Sequence, residues 1–526
     1  MTTRRGCIPE TATALASQLL QLANEWGDET AIVELCRDGS ERSLTRRELF
    51  TAVEKVASHL HDRGIAEGHY VAIALPNCLE HVVVTIAAWQ LGACCTFIPP
   101  KGTESERRDL LGILDYRLLV ADWSLDEDRD HIDQATLRSW MEGDFPRGAE
   151  ELPFFAVAPA RAVATGGSSG KPKIVVQRIK PAYSHADLES WSYITGQGAW
   201  DRQLVPGALF HNLYSNATFM GLFFGQTIFL MDKFDAARAL ELVEEKGIQC
   251  MALVPTMMER MMLDPSFETR DLDSLKTIFH SGGPCPDRAK LAWINRIGAK
   301  KVFELYAATE MIGSAVIRGD EWLEHRGSVG RGVGCVFRIQ DEHGNVLGPG
   351  EIGEIYSKPV SNLITFYLGG AKIDATDDGF YSVNDLGWLD EDGYLYLSDR
   401  RSDMIVTGGK NVYTVEVENA VCDYPCVRDV VVIGMPDSEW GLRVHAILEL
   451  SCSEEEFSFA DLQAFLHEKL SGYKCPKTYE IVQEMPRNEV GKVRRRALIE
   501  ERVSRAEGHR DMPTESKPAG SQEQAR

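Results

Sequence analysis

Short apolar runs rich in β-branched residues alternate with helix-length amphipathic stretches from about residue 28 to about residue 400. Tyr70–Leu75 and Thr227–Met231 are runs of the first kind, and Leu44–Arg63 is a stretch of the second kind. This alternation is typical of α/β layers. The chain has 526 residues, which is more than one hydrophobic core usually sustains. The sequence therefore predicts an α/β fold with at least two domains.

The pattern changes before residue 401, where Gly, Asp and Tyr punctuate the chain. Asp390–Gly393 predicts a hairpin turn between Trp388 and Tyr394. We place an interdomain hinge just after this hairpin, at Ser402. The first domain then spans residues 1–401.

The remainder of the chain has a different composition of elements. Residues 402–505 contain a predicted helix, two strands and another helix, which together indicate a small α+β domain. Residues 506–526 lack aromatic residues and any apolar period. We expect this tail to be disordered.

The net charge of −23, from 79 acidic and 56 basic residues, argues against a nucleic-acid partner or an anionic membrane surface. The N-terminal residues have no apolar core, so we expect neither a signal peptide nor an anchor. The most apolar stretch, His81–Pro100, is interrupted by Gln90 and Gly92 and predicts a buried helix that leads into a core strand. We therefore expect no membrane span and a cytoplasmic location.

The twelve cysteines show no CxxC pair and no adjacent histidine pair. This spacing indicates neither a disulfide framework nor a zinc site. We expect most of them to be buried thiols.

A Gly/Ser-rich segment with lysines is the sharpest local signal. It follows the apolar run Phe154–Val157 and precedes Ile174–Val176, which predicts a loop between two strands. Backbone N–H groups, hydroxyls and lysines suit phosphate binding. Pro172 stands where a Walker A loop would place its Ser or Thr, so a different phosphate loop is indicated. A flexible surface linker would not explain Lys-Pro-Lys directly before a buried strand. The candidate residues are Thr165, Gly166, Gly167, Ser168, Ser169, Gly170, Lys171 and Lys173.

Four further segments follow in order: Ser281–Pro284, Tyr306–Glu310, Tyr381–Asn411 and Pro486–Lys492. Together with the Gly/Ser-rich segment they resemble the adenylate-forming superfamily of acyl-CoA synthetases, peptide-synthetase adenylation domains and luciferases, over nearly the whole chain to about residue 500. The resemblance implies a large N-terminal domain of layered α/β subdomains with a small β-barrel, and a small mobile C-terminal domain. It also implies ATP, Mg²⁺, coenzyme A and a small-molecule carboxylic acid, which is first converted to its acyl-AMP.

The resemblance gives roles to the middle two segments. Tyr306 would stack on adenine, and the backbone of Gly282 and Gly283 would line its other side. Thr309 would donate to the α-phosphate, and Glu310 would hold magnesium. As a bare pattern, Thr-Glu is also a common helix cap pair. Ser281, Pro284, Ala307 and Ala308 complete the implied nucleotide site.

Asp385 is similar to the family aspartate that accepts both ribose hydroxyls. The family's usual Thr-Gly before it is Val383-Asn384 here, and a turn aspartate is the alternative interpretation. Arg400 matches an arginine that reaches the ribose and phosphate side. Ser402 falls where relatives carry the hinge Asp or Lys.

Two residues would serve the chemistry. Lys492 would offset the repulsion between a carboxylate and the α-phosphate in the transition state; the alternative is a solvated lysine in a basic turn. His211 looks like the residue that relatives place at the carboxylate of the acid, and a structural histidine is the alternative.

Thr407–Val412 resembles the loop of CoA ligases in which glycines, here Gly408 and Gly409, leave room for a thiol tunnel. Coenzyme A is thus the favoured acceptor. Ser402 and Lys410 are departures that leave open an adenylating enzyme serving a separate thiolation partner or carrier protein. A non-enzymatic nucleotide sensor is disfavoured, because Lys492 and His211 serve chemistry rather than ATP binding.

Trp191–Met231 and Ile317–Trp322 look particularly like bacterial bile-acid CoA ligases. They suggest a bulky polycyclic acid, such as a steroid or a diterpenoid. The alternatives are an aromatic acid such as a benzoate, or a fatty acid. No pattern in the sequence addresses the oligomeric state.

Overall fold

The computed structural model describes residues 8–126, 129–146, 152–166, 172–360, 365–370, 372–400, 403–437, 439–488 and 491–508. The chain divides into two compact units. The larger contains residues 1–402 together with 488–492, and the smaller contains residues 403–487 and 493–526.

The larger unit contains most of the strands. They are β1 (Thr13–Ala14), β2 (Thr30–Leu35), β3 (Glu41–Thr45), β4 (Tyr70–Ala74), β5 (Cys94–Phe97), β6 (Tyr116–Ala121), β7 (His131–Ile132), β8 (Arg161–Gly166), β9 (Pro172–Gln177), β10 (Ala182–Tyr183), β11 (Arg202–Val205), β12 (Thr227–Met231), β13 (Cys250–Leu253), β14 (Thr277–Ser281), β15 (Val302–Ala307), β16 (Ser314–Arg318), β17 (Ser328–Val333), β18 (Cys335–Gln340), β19 (Gly353–Pro359), β20 (Thr365–Leu368), β21 (Asp374–Ala375), β22 (Tyr381–Leu389) and β23 (Leu395–Arg400).

Its helices separate many of these strands. They are α1 (Leu15–Trp26), α2 (Arg46–Asp62), α3 (Leu79–Gln90), α4 (Glu104–Ile113), α5 (Gln134–Glu142), α6 (His185–Thr195), α7 (Asn212–Phe223), α8 (Ala236–Lys246), α9 (Pro255–Met262), α10 (Asp287–Ile297) and α11 (Gly319–Glu324), with a short 3₁₀ helix at Ala299–Lys301.

A fourteen-stranded sheet carries the parallel strands that precede the candidate site. Its order is β18-β19-β22-β23-β17-β16-β15-β14-β13-β11-β12-β2-β3, with β21 paired to β22. Strands β15, β14, β13, β11, β12 and β2 run parallel to one another. Beyond β15 the pairing is antiparallel. This antiparallel end packs around its own small core of Ala315, Val329, Ile339, Ile355 and Leu395. Its described strands form an open ladder that continues into the parallel strands, so the small barrel stays a prediction.

A seven-stranded sheet has the order β20-β9-β8-β5-β4-β6-β7. Strands β8, β5, β4, β6 and β7 are parallel, whereas β9 and β20 are antiparallel to their neighbours. Strand β20 joins this sheet late in the sequence, after the chain has passed through much of the fourteen-stranded sheet. Strands β1 and β10 form a separate antiparallel pair.

Helix α3 contains much of the most apolar stretch of the sequence, and it is buried within the protein. Every residue of α3 is buried, and β5 follows it as a buried strand, as expected for a helix that lies between other layers. None of the described helices is both long and apolar enough to cross a membrane.

The smaller unit contains β24 (Ile405–Thr407), β25 (Lys410–Val412), β26 (Val427–Asp437), β27 (Gly441–Leu450) and β28 (Thr478–Val482), with α12 (Thr414–Cys422), α13 (Phe459–Lys469) and α14 (Arg495–Gly508). Its five-stranded sheet has the order β25-β24-β27-β26, with β28 paired to β27. Apolar residues of α12, α13, β26 and β27 form its core, among them Val417, Val432, Ala446 and Leu462. This is the predicted small α+β domain.

Two local predictions were wrong. Phe154–Val157 is not a strand; the strand before the Gly/Ser-rich segment is β8. Pro153 and Pro159 bracket the apolar run, and proline cannot donate to a strand ladder. The disordered tail was predicted to begin at residue 506, which is too early, because α14 continues to Gly508. Residues 509–526 lie outside the described residues.

Most of the described cysteines are buried thiols, as predicted. Cys36, Cys285, Cys426 and Cys452 are only partly buried, and the other described cysteines are buried, all as free thiols. The described residues contain no group of three or more His, Cys, Asp or Glu side chains that could hold a metal ion.

Candidate active site

The segments that follow three strands of one parallel run lie at one edge of the fourteen-stranded sheet. His211 comes after β11, Gly282 after β14, and Thr309 after β15. These strands run in the same direction, so their carboxyl ends share one edge. Ligands of open α/β sheets bind at this edge. The fold therefore collects three of the predicted segments in one place.

Ser281–Pro284 leaves β14 through an exposed turn. Ser281 is buried as the last residue of the strand, whereas Gly282, Gly283 and Pro284 are exposed. Gly282 has φ of 95°, a left-handed value that favours glycine. A side chain on Gly283 would meet no other atom within 4 Å. The exposed glycine backbone is thus open to a flat ligand.

Tyr306 and Asp385 are joined directly. The Tyr306 hydroxyl donates to Asp385 Oδ2 over 2.8 Å. Asp385 pairs with Arg400 across β22 and β23, although the Arg400 side chain is outside the described part of the chain. The residues predicted for adenine and ribose therefore adjoin one another through a hydrogen bond and a strand register.

The departure at Asn384 has a backbone explanation. Asn384 has φ of 65°, and its backbone N–H donates to Ser382 Oγ over 3.0 Å. Glycine adopts this left-handed conformation most easily, and asparagine is among the few other residues that visit it routinely. Asn384 can thus take the place of the family's glycine without moving Asp385.

Thr309 and Glu310 lie in a turn after β15 and do not open a helix, so the interpretation as a helix cap pair was wrong. Two side chains of the seven-stranded sheet hold this turn. Gln177 Nε2 donates to the Thr309 carbonyl over 2.8 Å, and the Tyr367 hydroxyl donates to Glu310 Oε1 over 2.6 Å. Burial and the Glu310 carboxylate raise the pKa of Tyr367, so the phenol stays protonated and donates.

Glu310 suits the predicted magnesium ion. It is a half-buried carboxylate, and the described chain groups no further acidic, His or Cys ligands with it into a metal site. Magnesium commonly takes one or two protein carboxylates and completes its shell with phosphate oxygens and water. One carboxylate oriented by Tyr367 therefore fits this cation.

The Gly/Ser-rich segment connects β8 and β9. Gly167, Ser168, Ser169, Gly170 and Lys171 lie outside the described residues, and only the backbones of Thr165 and Gly166 are described. Lys173 lies in β9, with Nζ 4.9 Å from the centre of the Tyr367 ring. The end of the segment therefore adjoins the tyrosine that holds Glu310.

His211 caps α7 by position, without a capping hydrogen bond from its side chain. Its ring is half-buried, with its centre 4.1 Å from that of Phe210. Burial first, and then the positive charge of Lys492, lower the pKa of His211 to about 3. The imidazole is therefore neutral at physiological pH and offers a hydrogen bond, not a charge.

Lys492 belongs to the segment 488–492 of the larger unit. The Asn488 side chain accepts from the Lys492 backbone N–H over 2.8 Å, and the Asn488 backbone N–H donates to the Lys492 carbonyl over 2.9 Å. The Lys492 side chain is exposed. A tight turn therefore presents the lysine, and its charge acts on His211.

Gly408 and Gly409 lie in the smaller unit, at the turn between β24 and β25. Their φ angles are 55° and 76°, the pair of positive values typical of a two-residue hairpin turn. A side chain on Gly408 would come within 2.6 Å of the Trp440 ring. The hairpin alone thus accounts for both glycines, and their role in a thiol tunnel stays a prediction. Ser402, the predicted hinge, lies outside the described residues.

Sequence reasoning missed the side chains that hold these loops. Gln177, Tyr367 and the buried Arg161 belong to no motif, because each acts through a neighbour in space. The sequence held one weak signal for two of these residues, because Arg161 and Gln177 are polar residues at the ends of otherwise apolar strands. They begin and end the hairpin around the Gly/Ser-rich segment.

Comparison with known proteins agrees with this arrangement. A family model described as AMP-binding enzyme matches residues 19–367, and one described as AMP-binding enzyme C-terminal domain matches residues 416–492. The chain belongs to the AMP-binding enzyme family. The first matched range contains the Gly/Ser-rich segment and the segments at the site edge of the fourteen-stranded sheet. The second matched range ends at Lys492.

Relatives in this family match the chain over nearly its whole length. It is 31% identical over 472 residues to a 2-succinylbenzoate–CoA ligase of Bacillus velezensis, covering 87% of this chain and 93% of the relative. It is 29% identical over 479 residues to a long-chain-fatty-acid–CoA ligase of Mycobacterium tuberculosis, with the same coverage of 87% and 93%.

A solved structure matches the fold as well. O-succinylbenzoate coenzyme A synthetase of Bacillus subtilis, in complex with ATP and magnesium ion, superimposes with a TM-score of 0.77 at 27% identity, covering 93% of this chain and 100% of that chain. The AMP-binding fold of this chain, with a large N-terminal and a smaller C-terminal domain, is the fold of that enzyme.

Proposed function

We propose that this AMP-binding enzyme is an AMP-forming acyl-CoA ligase that uses ATP and Mg²⁺ to activate a small-molecule carboxylic acid. The observation that carries the proposal is the Thr309–Glu310 turn, which leaves β15 and is held by Gln177 and Tyr367 of the other sheet. This turn lies at the strand edge that also bears Gly282 and His211. The family and the CoA ligases among the relatives support the same activity.

The first half-reaction forms the acyl adenylate. A carboxylate oxygen of the acid attacks the α-phosphorus of ATP, the bond to pyrophosphate breaks, and acyl-AMP remains. Two anions must approach, so positioning and positive charge carry the catalysis. We assign the charge to Lys492, the hydrogen bond to the carboxylate to neutral His211, the α-phosphate contact to Thr309, and the cation to Glu310.

We assign the nucleoside to a further set of residues. Tyr306 would stack on adenine with Ser281–Pro284, Ala307 and Ala308 around it, and Asp385 with Arg400 would hold the ribose. The hydrogen bond between Tyr306 and Asp385 supports these two assignments. Thr165–Lys171 and Lys173 would bind the phosphates.

The second half-reaction transfers the acyl group to coenzyme A. The thiol sulfur attacks the acyl carbon and AMP leaves with the bonding electrons. The relatives are CoA ligases by name, which supports coenzyme A and gives no support to a carrier protein as acceptor. We assign Gly408 and Gly409 to the thiol path and Ser402 to the hinge between residues 1–401 and 402–505.

The acid is the finer part of the proposal, and we favour an aromatic acid. The residues that suggested a polycyclic acid lie mostly in the core: Trp191 and Trp322 are 8% and 2% exposed, and the Trp191 ring packs edge-on against Phe279. They therefore contribute little to an acid pocket. The resemblance of Trp191–Met231 to bile-acid ligases keeps a steroid or diterpenoid acid as the second candidate.

The test is acid-dependent pyrophosphate release with ATP and Mg²⁺, with mass detection of acyl-AMP and acyl-CoA. Aromatic, steroid, diterpenoid and long-chain fatty acids are compared at equal concentration. Acyl-CoA formed fastest from an aromatic acid supports the proposal, and a faster steroid or fatty acid would replace the favoured substrate. Acyl-AMP that accumulates in the presence of coenzyme A would refute the second half-reaction.

A further inference from the structure

Arg161 is a buried cation on β8, and it lies behind the candidate active site. Its side chain is 2% exposed. Burial lowers the pKa of its guanidinium to about 10, so it remains charged at neutral pH. Among the residues that the structure describes, Arg161 forms no ion pair with a carboxylate. Its guanidinium instead donates to the neutral side chains of Gln177 and Ser215.

The first branch leads to the metal side of the site. Arg161 Nε donates to Gln177 Oε1 over 2.9 Å, and the two residues face each other across β8 and β9. The same Gln177 amide donates from Nε2 to the Thr309 carbonyl over 2.8 Å. Gln177 is fully buried, so one amide orientation satisfies both contacts.

The second branch leads to the acid side. Arg161 Nη1 donates to Ser215 Oγ over 3.2 Å. Ser215 lies in the first turns of α7 and is fully buried. Its hydroxyl lies within donating distance of the His211 carbonyl, at 3.2 Å, and of the Asn212 carbonyl, at 3.3 Å. Arg161 therefore connects the start of α7, which His211 precedes, with the turn that carries Glu310.

A buried guanidinium without a carboxylate partner contributes little to the free energy of unfolding. An apolar side chain of similar volume would often stabilise a core as well or better, because a buried charge costs desolvation free energy. The planar guanidinium does supply donors in fixed directions. Here two of those donors contact Gln177 on β9 and Ser215 on α7, each of which bonds to a different segment of the site. An apolar side chain could not make these contacts.

We propose that Arg161 is a positioning residue for acyl adenylation, which fixes the Thr309–Glu310 turn relative to His211 through Gln177 and Ser215. The inference rests on the proposed function for the roles of those loops. Errors of about 1 Å in the placement of reacting groups can cost about 100-fold in rate. Loss of Arg161 should therefore lower kcat much more than it changes the KM for ATP.

The experiment compares Arg161→Met with Arg46→Met in the full chain. Arg46 is a matched control, since it is 3% exposed, donates to the Gly225 carbonyl over 2.8 Å, and packs over Trp200 with its guanidinium carbon 4.9 Å from the ring centre, away from the site segments. Hydrogen exchange is measured on peptides that cover residues 305–312, with Tm recorded for each variant.

We expect the hydrogen-exchange rate of these peptides to rise about tenfold or more in Arg161→Met and to stay unchanged in Arg46→Met. This expectation holds whether or not either substitution changes Tm. Equal exchange in both variants would overturn the positioning role. Hydrogen exchange does not depend on turnover, so it tests the positioning role even if the wild-type protein forms no acyl-AMP. Absence of acyl-AMP would contradict the proposed function and leave the positioning role to be decided by exchange.

The kinetic readout then separates positioning from general damage. In pyrophosphate release we expect Arg161→Met to lose about 10- to 100-fold in kcat with the KM for ATP within threefold. Arg161→Lys should recover part of the loss. The double variant Arg161→Met/Gln177→Met should be no slower than Arg161→Met, because both changes break one chain of contacts. Additive losses, or an equal loss in Arg46→Met, would contradict the inference.

Discussion

The Tyr306 hydroxyl donates to Asp385 over 2.8 Å, so the ring predicted to face adenine also orients the carboxylate predicted to hold ribose. The two residues come from β15 and β22, which are not neighbours in the sheet. One hydrogen bond therefore couples the two halves of the predicted nucleoside site.

Replacing Tyr306 with Phe should keep the stacking surface and release Asp385. A hydrogen bond to a charged group contributes about 1.5–3 kcal/mol, so the KM for ATP should rise by about tenfold or more, with a smaller effect on the KM for the acid. Pyrophosphate exchange kinetics measure both constants. Tyr396→Phe is the control, because its hydroxyl makes a similar contact with Asp390 over 3.1 Å in the neighbouring hairpin; an equal rise there would remove the special role of Tyr306.

Tyr367→Phe should raise the concentration of Mg²⁺ needed for half-maximal adenylation by several-fold. The phenol orients Glu310 over 2.6 Å, and loss of such an outer partner commonly costs about 10- to 100-fold in metal affinity or activity. Magnesium titrations at fixed ATP test this. Tyr394→Phe, which breaks a similar bond to Glu321 of 3.0 Å, should leave the titration unchanged. An unaltered magnesium requirement in Tyr367→Phe would mean that Glu310 needs no support.

Lys492→Ala should stop adenylation while ATP still binds. The ammonium is assigned to the transition state, where removing one stabilising group costs about 10²- to 10³-fold in kcat. Isothermal titration with ATP and single-turnover formation of acyl-AMP measure the two effects separately. Arg496→Ala, on the exposed face of α14 beside Glu500, is the control. Normal turnover in Lys492→Ala would exclude it from the chemistry.

Asn384 offers a test of backbone strain beside the site. Asn384→Gly should be close to neutral, whereas Asn384→Val should lose about 1–2 kcal/mol, since a β-branched residue strongly disfavours φ of 65°. We expect Val also to raise the KM for ATP, because Asp385 follows directly. Urea unfolding and exchange kinetics measure the two quantities. Equal behaviour of Gly and Val would show that the left-handed conformation is not maintained in solution.

His81 makes a pH prediction with a definite sign. Burial lowers its pKa to about 4, so between about pH 6.5 and pH 4 the unfolded chain binds a proton that the folded chain does not. Stability should therefore fall as the pH falls through this window, by on the order of 2 kcal/mol at pH 5. His81→Gln should reduce the dependence of the urea midpoint on pH between 7.5 and 5 by this amount, while His211, whose pKa burial also lowers, keeps a dependence of the same sign. His343→Gln, at an exposed position, should leave the dependence as it is. An unchanged slope in His81→Gln would contradict the assignment.

Residues that make their contacts within a motif could be predicted from the sequence, and residues that act across the fold could not. The alternation of strands and helices gave the layers, and β12 occupies the predicted range Thr227–Met231. The roles given to Tyr306, Glu310 and Lys492 stay predictions, although the fold gathers their segments. Phe154–Val157 misled because apolar composition alone does not count the prolines beside it. Arg161, Gln177 and Tyr367 could not be assigned roles because the site segments they hold lie in other elements, a helix for Arg161 and a turn for Gln177 and Tyr367.

Asn384 shows a further limit. In the sequence it weakens the match to the family, because the glycine is missing. In the structure it has φ of 65°, a conformation that both residues tolerate. What the turn preserves is a backbone angle, and a comparison of side chains does not detect it.

Strand β20 completes the edge of β9 even though it is synthesised long after it. Residue 177 ends β9, and residue 368 ends β20. At about 5–20 residues per second, the ribosome needs on the order of ten seconds or more to bridge that interval. Throughout it, β9 has an unpaired edge, the kind that associates with other chains. Tyr367 also emerges only with β20, so during this interval Glu310 lacks the hydroxyl that orients its carboxylate in the finished fold.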